Sequence, residues 1–123
     1  ENQIKPTLMQ FVKNQLSDDK NKQVILFKNE KRNFVCISSV VQTVQYFVRK
    51  YYDDTTEYHD VYNCGGICSY SRVEFGEKVG KLYALDTKKI NAMNRYDCKE
   101  KWANAAPNPQ DVSMSSRKLY QQL

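Results

Sequence analysis

Val73-Glu74-Phe75-Gly76-Glu77-Lys78-Val79-Gly80-Lys81-Leu82-Tyr83-Ala84-Leu85, continued by Asp86-Thr87-Lys88-Lys89-Ile90-Asn91, is the stretch on which the fold turns. Gly76 and Gly80 bracket a short charged segment that reads as a turn. Leu82, Ala84 and Leu85 then follow as a half-buried strand, with Tyr83 on its other face. A strand entered sharply from a glycine-marked corner is a component of small closed barrels, because glycine supplies the backbone freedom of the corner.

Outward from that strand, residues 34–52 are dense in Val, Ile, Thr, Tyr and Phe, and Phe34, Cys36, Val40, Val44, Tyr46 and Val48 share one parity. The segment contains neither Gly nor Pro and is too long for one flat strand. It predicts two strands joined by a polar turn near Gln42 to Gln45, or one strongly bent strand. Tyr58, Val61 and Tyr62 open a further strand, and Cys64-Gly65-Gly66-Ile67-Cys68 interrupts it as a bulge or tight bend. A last strand is expected from Arg95 to Trp102, and Ala105-Ala106-Pro107-Asn108-Pro109 ends regular structure.

Helices are expected at both ends. Leu8, Phe11, Val12 and Gln15 recur at i, i+3, i+4, i+7 with Leu16 beside them, and Pro6 suits a first helical turn. Residues 17–22 are turn-like, and Val24-Ile25-Leu26-Phe27 reads as a buried strand or extended lead-in. Ser115 or Ser116 caps a closing helix that runs to Leu123. The order is α+β with a mainly β core, and the smallest architecture that uses all of it is a five-stranded OB-fold barrel. One domain is expected over 1–123: an N-terminal helix and lead-in at 1–33, an antiparallel barrel at 34–102, and a Pro-containing linker with a short C-terminal helix at 103–123.

At 123 residues, 41% hydrophobic, 27% charged and 12% aromatic, the composition is that of a folded domain with a core rather than a disordered chain. No apolar run is long enough to cross a membrane as a helix. The net charge of +5 tolerates a polyanion without requiring one. Cys36, Cys64, Cys68 and Cys98 allow two disulfides in three connectivities, and none of the asparagines lies in an N-x-S/T sequon.

Motifs of catalysis are missing: no phosphate loop, no GxSxG, and Asp53-Asp54 sits at a loop tip where turn formation explains it. Cys64 and Cys68 form one close pair near His59, whereas a zinc site of strong signature has two; no metal, no cofactor and no catalytic residue is assigned. Basic and aromatic residues interleave more usefully. Arg49, Lys50 and Tyr52, then Tyr70 and Arg72, then Lys88 and Lys89, fall on the strands and the loop that bind single strands in an OB barrel. Solvation of a tyrosine-rich sheet accounts for the same residues. Met114, Leu119, Tyr120 and Leu123 make an apolar stripe on a closing helix too short to stand alone, which marks a partner interface.

Ser71-Arg72-Val73-Glu74-Phe75 through Val79-Gly80-Lys81-Leu82-Tyr83-Ala84-Leu85 resembles the loop and fourth strand of the Ten-one family, the smallest subunit of the CST telomere-capping complex. The family's run carries a Pro after Val-Glu that is absent here, and small OB subunits of replication-protein-A type share much of the pattern. The resemblance covers about residues 34–91. It implies a nuclear, non-enzymatic OB-fold subunit of a telomere or telomerase complex in DNA replication. Such a subunit pairs with a larger OB-fold partner and touches single-stranded DNA weakly or through the complex. The second class is a small secreted, disulfide-bonded interaction protein of cystatin-like type, since Gln42-Thr43-Val44-Gln45-Tyr46 is similar to a cystatin hairpin without its Gly.

Overall fold

A computed structural model describes residues 5–53, 60–97 and 109–123. About 47% of the described residues are helical, and four short strands form two separate pairs without a closed barrel. The five-stranded OB barrel expected over 34–102 is therefore overturned. The described residues gather into two compact units: Glu1–Arg32 with Tyr70–Asp111, and Asn33–Ser69 with Val112–Leu123.

In the first unit, α1 (Leu8–Ser17) starts at a capping box. The Gln10 N–H donates to Thr7 Oγ1 at 3.3 Å, and the Thr7 N–H donates to Gln10 Oε1 at 2.9 Å, which satisfies two donors left open by the first turn. Pro6 lies just ahead of the cap. The helix buries Val12 and Leu16. Strand β1 (Val24–Phe27) pairs in parallel with β4 (Ile90–Met93), from Val24 opposite Ile90 to Phe27 opposite Met93. Strand β2 (Lys31–Arg32) pairs antiparallel with β3 (Tyr70–Ser71). A parallel pair needs a crossover, and α3 (Arg72–Leu82) is the helix of that long connection that packs in this unit.

Helix α3 occupies the stretch that the sequence reading made a turn and a strand. Ser71 and Glu74 form a second capping box, with Glu74 N–H on Ser71 Oγ at 3.1 Å and Ser71 N–H on Glu74 Oε2 at 2.7 Å. Gly76 and Gly80 lie one turn apart on its buried face and serve close approach rather than a corner. A Cβ on Gly76 would stand 2.3 Å from Leu26 Cδ1, and one on Gly80 2.3 Å from Thr87 Cγ2. The helix ends in a Schellman motif: Leu85 N–H bonds Gly80 O at 2.8 Å and Ala84 N–H bonds Lys81 O at 3.3 Å, with Ala84 at φ 51°. Val12, Leu16, Val24, Leu26 and Val79 form the core, with Leu8, Met9, Val73, Phe75, Leu85 and Ile90 packed around it.

One buried acid ties this unit together. Glu30, 1% exposed, follows β1; its carboxylate accepts from Arg72 Nε at 2.5 Å and Arg95 Nη1 at 2.7 Å, and its carbonyl accepts from Arg72 N–H at 3.2 Å. Burial pushes the Glu30 carboxyl up, but the hydrogen bonds and charges of Arg72 and Arg95 outweigh it and hold the group below its ordinary value. The start of α3 and the end of β4 are thereby fixed to the same side chain. Arg95 opens a 3₁₀ turn, Arg95–Asp97, where a strand was expected; the rest of that expected strand, with Cys98 and Trp102, lies outside the described residues.

In the second unit, α2 (Ile37–Asp53) replaces the two strands or the one bent strand expected at 34–52. Val and Tyr favour strands only as surface-packing residues, and spacing overrides that preference here. Ile37, Val40, Val41, Val44, Phe47, Val48 and Tyr51 recur every three or four residues, a helical stripe through two heptads. Val61 and Tyr62 lie in irregular backbone, and the strand expected there is not formed; Tyr58 lies outside the described residues. The closing helix is a single turn, α4 (Arg117–Tyr120), whose N-cap Ser116 makes no capping bond. Instead Ser116 Oγ accepts from Gly65 N–H at 2.9 Å and donates to Gly65 O at 3.2 Å, and Tyr120 OH donates to the same carbonyl at 3.2 Å. Asn33 Nδ2 bonds Gly66 O at 2.9 Å, while Met114 N–H bonds Asn33 Oδ1 at 2.8 Å.

Candidate functional site

The second unit uses α2 in an unusual sense. Its half-buried face mixes Val40 and Phe47 with Thr43, Tyr46 and Lys50, and its ties to the rest of the unit include polar ones: Tyr46 OH donates to Gln122 O at 2.5 Å and Lys50 Nζ reaches Gln122 Oε1 at 3.5 Å. The apolar stripe faces away from these contacts. Ile37 is 79% exposed, Val44 56%, Tyr51 66% and Tyr52 81%, and Val41 and Val48 are exposed between them. Single exposed apolar residues are ordinary, but a contiguous stripe over four helical turns is the pattern of a surface that another surface covers.

The stripe has relief. Thr43, Val44, Phe47, Val48, Tyr51 and Tyr52 line an open depression of about 440 Å³ near the carboxyl end of α2. Phe47 and Tyr51 also line a neighbouring hollow of about 280 Å³ with Lys50, Asp60 and Tyr62. Phe47 and Tyr62 stack at 4.9 Å between centroids, Lys118 Nζ lies 5.0 Å from the Tyr62 centroid, and Lys118 pairs with Asp60. That ion pair holds the Asp60 carboxyl below its ordinary range, helped by the Val61 N–H. No acid precedes Asp53 in α2, and Arg49 is exposed close to the stripe's edge.

At the amino end of α2 lies a residue with distinct chemistry. Cys36 precedes the helix and accepts Val40 N–H on its carbonyl. Its exposed Sγ is 3.0 Å from Ser38 Oγ; that contact, with the N–H groups of Ser38, Ser39 and Ile37, holds the thiol below its ordinary range against a desolvation penalty. Cys64 and Cys68 are free thiols as well, so none of the three is disulfide-bonded, and Cys98 lies outside the described residues. Among the described residues no group of three or more His, Cys, Asp or Glu is placed to hold a metal, and no helix is long and apolar enough to cross a membrane. His59 lies outside them.

The residues read from sequence as nucleic-acid contacts are divided between the units. Arg49, Lys50 and Tyr52 lie on the last turns of α2. Tyr70, Arg72, Lys88 and Lys89 belong to the first unit, and most have structural work there. Arg72 holds Glu30, and Lys78 Nζ sits 4.8 Å from the Tyr70 ring. Lys89 Nζ donates to Leu16 O at 3.3 Å and Asp18 O at 3.4 Å, closing the carboxyl end of α1. Lys88, in the 3₁₀ turn Thr87–Lys89, donates its backbone N–H to Asp86 Oδ1 at 2.9 Å. Of the residues read as a partner interface, Met114, Tyr120 and Leu123 are exposed, whereas Leu119 is 1% exposed and belongs to the interior of its own unit. The sequence reading missed the α2 stripe, although its heptad spacing was the available signal. Comparison with protein-family models, with curated proteins and with solved structures found no match.

Proposed function

We propose that the chain is a non-enzymatic interaction module that pairs with a partner protein through the outward stripe of α2. The uncovered stripe carries this reading: Ile37, Val41, Val44, Val48, Tyr51 and Tyr52 are all exposed on one helix face. An amphipathic helix from the partner fits it best, since anchors at i, i+3, i+4 and i+7 would interdigitate with the same spacing on α2. The flank selects its charge. Arg49 stands close to the stripe and α2 has no acid before Asp53, so an acidic rim on the incoming helix is complementary. The Ten-one resemblance implied the same accessory role through a barrel; with the barrel overturned, the role rests on α2 and not on that resemblance.

A benzophenone side chain placed at Val41 and activated in cells tests the reading. The expected result is one discrete adduct whose mapped contact is an amphipathic helix with an acidic rim. Val44→Asp with Val48→Asp abolishes that adduct, while the melting temperature stays that of the parent because both positions are exposed. An adduct only with a second copy of the chain, an adduct unaffected by the double substitution, or no discrete adduct overturns it.

A further inference from the structure

Three of the four cysteines, Cys36, Cys64 and Cys68, belong to the second unit, which among the described residues buries only Leu119 of its large apolar side chains. Small units without a sufficient apolar core ordinarily gain stability from covalent staples. Polar bonds bring the chain ahead of α2 against the Gly65 loop. Asn33 Nδ2 bonds Gly66 O at 2.9 Å, a Cβ on Gly65 would stand 3.1 Å from Asn33 Cβ, and one on Gly66 would overlap Phe34 O. Cys36 comes two residues after Phe34 and Cys64 one residue before Gly65, so both thiols lie within short reach of this backbone contact.

The same two thiols border one hollow. A depression of about 450 Å³ is lined by Val35, Ser39, Cys64, Ile67 and Leu119 among others, and Cys36 lies in the chain between Val35 and Ser39. Ser39 N–H donates to Cys36 O at 3.0 Å, which fixes Cys36 to that edge. Its Sγ is exposed and lies 3.0 Å from Ser38 Oγ, a contact that favours the thiolate. Cys64 is half-buried in the wall, so a dissolved oxidant meets Cys36 first. That is the division of labour between a thiol that is oxidised and a second thiol that resolves it.

From this placement we infer that Cys36 and Cys64 form a reversible, peroxide-driven disulfide that staples the start of α2 to the Gly65 loop. The oxidant is hydrogen peroxide. The Cys36 thiolate attacks one peroxide oxygen: an S–O bond forms, the O–O bond breaks and hydroxide leaves, so the sulfur gives up two electrons to become a sulfenic acid and the peroxide is reduced. The Cys64 sulfur then attacks the Cys36 sulfur; the S–S bond forms, the S–O bond breaks, and the departing hydroxide takes the Cys64 proton as water. The hollow gives Cys36 Sγ room to turn from Ser38 toward Cys64. The closed loop contains the whole of α2, so the bond restricts the unfolded chain of the unit that buries fewer apolar side chains. It lies within the second unit, and its formation does not depend on a partner for the α2 stripe.

Treating the intact, reduced chain with hydrogen peroxide at neutral pH, then digesting and mapping it without reductant, tests the inference. The expected product is one peptide pair joined through Cys36 and Cys64 that dithiothreitol separates. Hydrogen exchange at the α2 amides should slow about fivefold or more on oxidation, while exchange in β1 and α3 stays as it was. In Cys64→Ser, dimedone should trap a sulfenic acid at Cys36 that the parent chain loses to the disulfide, and Cys68→Ser should form the Cys36–Cys64 bond as the parent does. The parent chain itself yields the mapped bond, so a variant that fails to fold leaves the test intact. No Cys36–Cys64 bond, Cys36 bonded instead to Cys68 or Cys98, or a bond only between two chains overturns the pair. A mapped Cys36–Cys64 bond that leaves exchange in α2 unchanged overturns the staple.

Discussion

The two units use their apolar residues in opposite ways. Among the described residues, the first buries Val12, Leu16, Val24, Leu26, Phe27 and Val79, while the second buries only Leu119 of its large apolar side chains. The second instead exposes Ile37, Val41, Val44, Val48, Tyr51 and Tyr52 on one helix, and holds itself together by polar bonds around Gly65, Asn33 and Tyr46. The difference does not come from composition, since both contain abundant Val, Ile, Leu and Phe. It comes from which face of each helix meets its own unit. Helices α1 and α3 turn their apolar faces inward; α2 turns a mixed face with Tyr46 and Lys50 inward and leaves Ile37, Val41, Val44, Val48, Tyr51 and Tyr52 outward. A net hydrogen bond contributes about 0.5–1.5 kcal/mol, whereas burying one large apolar side chain contributes about 1.5–3 kcal/mol, so the first unit draws more on burial and the second has apolar surface in reserve.

The largest expected effect breaks the first unit at its charged centre. Glu30→Ala removes the shared anion of Arg72 and Arg95 and should cost about 3–5 kcal/mol, the range for removing one partner of a buried ion pair. Chemical denaturation checks the magnitude. Hydrogen exchange should show the loss in β1, β4 and α3. The pH dependence follows the same logic. The folded carboxyl of Glu30 lies below its ordinary value, so its contribution is fully present above that value and lost as pH falls through the lower folded one. Acid should therefore loosen the first unit, and Glu30→Gln should flatten that part of the stability–pH curve.

A second effect sharpens the contrast from the exposed side. With its thiol held below the ordinary range and fully exposed, Cys36 should react first with iodoacetamide, ahead of Cys64 and Cys68. Because the thiolate is the reacting form, the rate at Cys36 should keep its plateau to lower pH than that of a free cysteine peptide in the same buffer, as read by mass spectrometry. A rate that follows the free peptide at every pH would mean that the first turn of α2 is not formed in solution. Ser38→Ala should move the Cys36 midpoint upward, since the Ser38 hydroxyl is the first of its stabilising contacts.

The places where the sequence was legible and where it misled have physical causes. The α1 stripe and the short run Val24–Phe27 could be read because each matches one period only. The α2 stretch could not be decided from Val40, Val44 and Val48, since a spacing of four fits a strand's parity and a helix turn equally. Ile37, Val41, Phe47 and Tyr51 decide it, because they break the parity and keep the turn. In α3 the signal was Ser71-x-x-Glu74, a capping box whose following glycines look like turn residues until their contacts with Leu26 and Thr87 are seen. The Glu30 centre had no local signal. Its hydrogen-bonded arginines lie 42 and 65 residues away along the chain; the pairing of β2 with β3 brings in Arg72 and the pairing of β1 with β4 brings in Arg95.

The smallest effect tests whether the first unit is already optimal, and it turns on Ala84. This residue sits at φ 51°, in the left-handed position where a helix ending in a Schellman motif ordinarily has glycine. The conformation costs an L-residue about 1–2 kcal/mol through the clash of Cβ with the following carbonyl. Glycine removes that cost but adds about 0.4–1 kcal/mol of unfolded-chain entropy, so Ala84→Gly should stabilise the first unit by about 0.5–1 kcal/mol. The gain should appear as a higher denaturant midpoint with an unchanged slope. It should also raise hydrogen-exchange protection of the Leu85 and Ala84 amides, which donate to Gly80 and Lys81, and leave α2 untouched. If Ala84→Gly instead destabilises, the left-handed turn is not the solution conformation, and Leu85 must reach the core around Val79 by another path.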